Sequence, residues 1–150
     1  MNGRNCEEVE SMMKDAMGGY RGTELEISRM ILDQPGNAEG WFNRGNARSS
    51  SCNWAGAVAD YTMALKMGLR FREMIVAYGN RGMVRAKMGD MVGAIEDFSA
   101  IINLHPNNAR LYRAAFRSRA EMKEKRGDAA GAAEDRRMAE QVASETATQQ

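Results

Sequence analysis

Apolar and small residues recur along this chain at spacings of three and four, the period of one helix face. The clearest run is Ala94, Ile95, Phe98, Ile101, Ile102 and Leu104. Before it, Tyr78, Gly82, Val84 and Ala86 mark another helical stretch, and Gly89-Asp90 supplies the turn between them. His105-Pro106-Asn107-Asn108 ends the second helix, because proline cannot continue it. The same pattern predicts eight helices in four antiparallel pairs, over 5–17, 21–33, 38–51, 54–67, 73–88, 91–104, 108–126 and 128–145. Residues 146–150 lack apolar anchors and are expected to fray.

The helix pairs repeat. Trp41-Phe42-Asn43-Arg44-Gly45 and Tyr78-Gly79-Asn80-Arg81-Gly82 match at an offset of 37, and so do Ala57 and Ala94, Asp60 and Asp97, and Tyr61 and Phe98. An offset of 34 carries Tyr78 to Tyr112 and, running backwards, Tyr61 to Ile27. The underlying period is therefore 34, with three extra residues within Gly68–Met74. In the last copy Gly89-Asp90 maps to Gly127-Asp128 at an offset of 38, which lengthens its first helix by about one turn. A fixed period of this size is the signature of a repeat array.

These residues resemble the tetratricopeptide repeat family, whose pattern sets an aromatic, glycine, alanine, aromatic, alanine and proline along each 34-residue unit. Residues 75–108 match most closely, through Tyr78, Gly82, Ala94, Phe98, Ile101 and Pro106. Residues 38–71 match through Trp41, Gly45, Ala57, Tyr61 and Ala64. Residues 109–142 keep Tyr112, Ala132 and Ala139, with Phe116 in place of the glycine. Residues 4–37 keep Tyr20, Ile27 and Pro35. The resemblance implies an all-α helical-repeat solenoid over 4–142, with a tail at 143–150. It also implies a concave groove lined by the first helix of each pair. In the third copy the inward positions would be Arg110, Arg113, Ala114, Arg117, Ala120 and Glu121. Carboxylate-clamp members of the family are matched in type only by Asn46, Asn80 and Arg110, with Phe42 and Ala114 standing where a clamp has Lys and Arg.

Composition narrows the chemistry. The chain has 150 residues, is 43% hydrophobic and 27% charged, and carries a net charge of +1. That excludes wholesale disorder and any global pull towards nucleic acid. No apolar run approaches the ~20 residues of a membrane span. The first residues have no apolar core of a signal peptide, and two cysteines, Cys6 and Cys52, cannot build a disulfide scaffold. A reducing, cytoplasmic setting is expected. The single histidine, His105, lies in a loop without neighbouring ligands, and Cys52 reads as a turn residue where the family prefers glycine. No enzyme, metal or cofactor is expected.

Two charge patterns remain. Arg44 and Arg81 share one repeat position and Asp60, Asp97 and Asp135 another, which suggests an Arg–Asp pair across each helix pair. Residues 109–126 carry a net charge of +5, against −3 for residues 1–37. With the implied groove, this nominates Asn43, Asn46, Asn80, Met83, Lys87, Arg110, Arg113 and Arg117 as peptide-binding residues. The expected function is a noncatalytic adaptor or scaffold that binds a protein or peptide, of acidic character. The alternatives are an RNA-associated helical repeat using the basic helix and a self-assembling structural subunit.

Overall fold

A computed structural model describes residues 23–148, with side chains through Ser144. The expected helix at 5–17 and residues 149–150 lie outside the described residues. Seven helices are described: α1 (Glu24–Asp33), α2 (Ala38–Ser50), α3 (Trp54–Met67), α4 (Phe71–Lys87), α5 (Met91–Leu104), α6 (Ala109–Lys125) and α7 (Ala129–Thr148). Among the described residues there is no strand. The chain divides between Ala77 and Tyr78, inside α4, into two compact units.

Side-chain caps start the helices. Thr23 forms a capping box with Glu26 ahead of α1, and Asn37 and Asn108 cap α2 and α6. Inside each helix pair the turn is built alike. Cys52, Gly89 and Gly127 take positive φ of 58°, 84° and 86°. The next residue's amide then bonds back to the carbonyl of Arg48, Arg85 or Lys123, at 2.8, 2.9 and 2.9 Å. The side chain of that same residue, Asn53, Asp90 or Asp128, accepts from the amide three positions on, at Gly56, Gly93 or Gly131. Cys52 thus occupies the expected turn position. Its left-handed φ is the conformation Gly89 and Gly127 take in the other turns, as the sequence suggested, and its sulfur is in a disulfide.

In the first unit α2 packs on both α1 and α3. Ile27 and Ile31 of α1 are buried, and Gly40 lets α2 approach, since a Cβ there would lie 3.2 Å from Ile31. Gly45 admits the fully buried ring of Tyr61, which a Cβ would meet at 2.8 Å. Ala64, Leu69 and Ala77 form a further core with Trp41, Phe42 and Met74 against it. Leu69 stands where the family pattern has proline and fills this core instead.

In the second unit α6 packs on α5 and α7. Ala94, Phe98 and Ile101 of α5 are buried, as are Ala115, Phe116 and Ala120 of α6 and Ala132 and Ala139 of α7. Trp41 and Tyr78 are only half-buried. An arginine lies over each ring instead: Arg44 is 5.0 Å from the Trp41 centroid and Arg81 5.5 Å from that of Tyr78. α7 is helical to Thr148, past the expected end at 145. Its last residues are rich in Ala and Glu, which favour helix without tertiary anchors.

Candidate functional site

Each of the three helix pairs from α2 to α7 holds one buried carboxylate between two cations from the preceding helix. Asp60 accepts from Arg44 Nε and Nη2, both at 2.9 Å, and from Arg48 Nη1 at 3.0 Å. Asp97 accepts from Arg81 Nη2 at 2.6 Å and Arg85 Nη1 at 3.0 Å. Asp135 accepts from Arg119 Nε and Nη2 at 2.9 and 2.7 Å and from Lys123 Nζ at 2.9 Å. All three carboxylates are at most 2% exposed. The two cations sit one helical turn apart, so both face the partner helix. The first of them also lies over the aromatic three residues before it, Trp41, Tyr78 or Phe116.

The electrostatics follow from this geometry. Burial pushes the Asp135 carboxyl up, but hydrogen bonds from Arg119 and Lys123 outweigh it and hold the group below its ordinary range. Hydrogen bonds to Asp60 likewise raise the Arg44 guanidinium above its ordinary value. The third nitrogen of the arginine reaches back to the preceding pair: Arg44 Nη1 donates to Ser28 Oγ at 3.2 Å and Arg119 Nη1 to Ser99 Oγ at 3.0 Å. The expected Arg–Asp pairing is therefore present as a triad, and the first and last triads also tie on a neighbouring helix.

The triads fix the register of the last repeat. Arg81, Arg85 and Asp97 map to Arg119, Lys123 and Asp135, and Tyr78 to Phe116, all at an offset of 38. The extra turn thus precedes Phe116, which takes the place of the repeat aromatic. Ala120, expected to look into a groove, is 1% exposed and stands in the place of Gly45 and Gly82. Arg117 falls at the repeat position of Phe42 and Gly79. Arg113 falls at the repeat position of Ile75, and Arg110 precedes the repeat on the added turn.

The nominated residues divide between the two units. In the first, Asn43 is half-buried, and Asn46 Oδ1 accepts the Tyr61 hydroxyl at 2.8 Å, so that amide serves the fold. In the second, Asn80 is buried, Met83 is 39% exposed and Lys87 is half-buried. Arg110 and Arg117 are exposed and Arg113 is half-buried. At 100° per residue, Arg110 and Arg117 point away from Ala115, Arg119 and Met122, with Arg113 flanking them. Among the described residues these three arginines have no carboxylate at ion-pair distance, unlike Arg119 and Lys123 on the same helix. Ala114 and Leu111 lie beside them and are exposed.

Sequence reasoning passed over Arg119 and the second cation of each triad, although Arg48 and Arg85 recur at the repeat offset and so carry the signal. His105 takes a left-handed conformation at the end of α5, with its ring centroid 4.6 Å from that of Tyr112 in an edge-on arrangement. Among the described residues no group of three or more His, Cys, Asp or Glu could hold a metal ion, and no helix is long and apolar enough to cross a membrane.

No family model matches the chain, and no curated protein matches it in sequence. Solved structures do. A crystal structure of MamA superposes with a TM-score of 0.73 at 20% identity, over 83% of this chain and 69% of that one. A second, described as a crystal structure of MamA protein, gives 0.73 at 20% identity over 96% and 76%. A third, described as MamA MSR-1 C2, gives 0.65 at 18% identity over 82% and 67%. At these identities the likeness establishes the fold, an all-α repeat of helix–turn–helix pairs.

Proposed function

We propose that the chain is a noncatalytic protein-interaction module, and that the outer face of α6 docks an acidic segment of a partner protein. The sorting of cations on α6 carries this reading. Arg119 and Lys123 are consumed by Asp135, whereas Arg110 and Arg117 are exposed and Arg113 half-buried, all three without a carboxylate at ion-pair distance among the described residues. A fold-stabilising role accounts for the first pair only. The three arginines lie at i, i+3 and i+7, which presents their guanidinium groups along one side of the helix, and each can bond a carboxylate in two places. Within the second unit Asn80, Met83 and Lys87 extend the proposed binding residues to α4; Asn43 and Asn46 belong to the first unit, where Asn46 holds the Tyr61 hydroxyl. The fold is also that of the MamA structures, and repeat folds of this kind offer extended binding surfaces.

The test is fluorescence anisotropy with a labelled Glu-rich peptide. Arg113→Glu with Arg117→Glu should weaken binding by at least about tenfold, since charge-assisted contacts contribute roughly 1.5–3 kcal/mol each when sheltered. Wild-type affinity should fall as salt rises, because exposed charges are screened beyond ~8 Å at physiological ionic strength. The helical circular dichroism should be unchanged. Unaltered affinity in a folded double variant would show that the face is merely solvated. A cytoplasmic setting is part of this reading. A Cys52 disulfide that survives extraction with immediate alkylation would place the chain in an oxidising compartment instead.

A further inference from the structure

Two cavities adjoin at the α1–α2 and α3–α4 connections, both within the first unit. The smaller has a volume of about 110 Å³ and a mainly apolar wall, lined by Met30, Asp33 and Gly40 among others. The larger, about 230 Å³, opens to solvent between Gly36 and Glu39 of one connection and Gly68, Arg70 and Glu73 of the other. Asn37 lines both, so one ligand can reach into the two at once. Glycines keep the larger cavity open: a Cβ at Gly36 or Gly68 would meet no atom within 4 Å.

Packing does not call for this arrangement. The buried triads recur in each pair from α2 to α7, as packing features do. The carboxylates of the larger cavity do not: Glu39 gives way to Val76 at the offset of 37, and Glu73 to Leu111 at the offset of 38. Arg70 and Glu73 lie within Gly68–Met74, the stretch that holds the three residues beyond the 34-residue period. Three carboxylates, Asp33, Glu39 and Glu73, line the two cavities against one guanidinium, Arg70. Among the described residues Asp33 and Glu39 have no cation at ion-pair distance. Arg70 donates to Glu73 Oε1 through Nη2 and, at 3.1 Å, through Nε. Hydrogen bonds to Glu73, and then the charges of Glu73 and Glu39, raise its guanidinium above the ordinary value, so both carboxylates act on one cation position. The Arg70 side chain is 80% exposed and that of Glu73 only 23%. The carboxylate is thus fixed in the cavity wall while its partner hangs in water. An exposed pair of this kind is weak, and a cation offered from outside can take the place of Arg70.

An apolar void of about 150 Å³ takes a benzene ring, so the smaller cavity suits a branched aliphatic side chain. The larger has room for the longer side chain of a lysine or arginine. We propose that these adjoining cavities bind a segment of a partner protein that carries both, the aliphatic group beside Met30 and Gly40 and the cation against Glu39 and Glu73 in place of Arg70. In an extended segment, side chains two positions apart leave on the same side, about 7 Å from each other, which sets the spacing of the pair. The segment is basic, opposite in charge to the one proposed for α6, and its site stands or falls independently of that face.

Heteronuclear NMR on the full, isotope-labelled chain tests this, with the peptide Gly-Ser-Leu-Gly-Arg-Ser-Gly as the probe. Amides of Asn37, Glu39 and Glu73 should shift on titration, and those of Arg113 and Arg117 should not. Replacing the arginine of the probe by glutamine, or Glu39→Gln with Glu73→Gln in the chain, should weaken binding about tenfold. Arg70→Ala should instead tighten it about threefold, because it removes the competing cation while keeping the backbone amide that donates to Glu73 Oε2. Gly36→Phe should abolish binding in a folded chain, since the φ of Gly36 is not left-handed and its Cβ has room. No shift in wild type, equal affinity for the glutamine probe, an affinity not raised by Arg70→Ala, or full binding by folded Gly36→Phe would each overturn the proposal. So would a dimer by light scattering whose formation alone shifts these amides, which would assign the surface to a second copy.

Discussion

Replacing Asp97 by asparagine keeps the shape of the side chain and removes its charge. The carboxylate is 1% exposed and accepts from Arg81 Nη2 at 2.6 Å and Arg85 Nη1 at 3.0 Å. An asparagine offers one oxygen where two were used, and its amide hydrogens would meet guanidinium donors. The side chains of Arg81 and Arg85 are 12% and 20% exposed, so water cannot fully replace the lost partner. Breaking a buried pair in this way costs about 3–5 kcal/mol. At roughly 2–4 °C per kcal/mol for a chain of this size, the thermal midpoint should drop by about 10 °C. Urea unfolding followed by circular dichroism measures the free energy directly, with Arg137→Ala as a control on the exposed Arg137–Glu134 pair, expected to change stability by less than about 1 kcal/mol. A triple variant, Asp97→Leu with Arg81→Met and Arg85→Met, should recover much of the loss, because apolar packing needs no desolvated charge. A loss below about 1 kcal/mol for Asp97→Asn would refute the view that the triads hold the helix pairs together.

Asp135 gives a pH signature. Its folded value is held low, so its stabilisation is complete above the ordinary aspartate value of about 4 and is lost as pH falls towards the depressed folded value. Urea midpoints taken from neutral pH down through this window should decline more steeply in wild type than in Asp135→Asn. Gly45→Ala should destabilise by about 1–3 kcal/mol despite alanine's helix preference of roughly 1 kcal/mol, because its Cβ would sit 2.8 Å from the Tyr61 ring. Thermal melts compare it with Gly82→Ala, where the nearest contact is a looser 3.1 Å to Phe98 and the loss should be smaller.

Helix positions were legible in the sequence because their punctuation is local. Asn53, Asp90, Gly89 and Pro106 act on neighbours within a few residues, and α3 and α5 begin and end where those residues dictate. The Arg44–Asp60 and Arg81–Asp97 pairs were legible because a repeat shows the same partnership twice. The start of the last repeat was not. Tyr112 and Phe116 are both aromatic and one turn apart, so either can open a tetratricopeptide-like pattern, and only the Arg119–Asp135 bond decides between them. The proposed interaction face was legible as a charge excess on 109–126 but not as a set of residues. Net charge does not reveal that Arg119 and Lys123 are already held by Asp135, and Lys125 by Glu121.

Each triad carries two cations for one carboxylate, a surplus of one positive charge. In the first, Glu24 meets Arg48 at 2.8 Å, and in the second, Asp90 lies 3.7 Å from Arg85. These acids stand at the rim, outside the buried cluster, and neutralise what the buried aspartate leaves over. In the last, Asp135 is the only carboxylate at ion-pair distance from Lys123 among the described residues. Duplication of a helix pair would therefore copy a charge imbalance along with the fold. An array lengthened by such copying would grow more cationic with every unit unless an acid arose at the preceding helix or turn, so that electrostatic repulsion, rather than packing, would limit how many units one chain could string together.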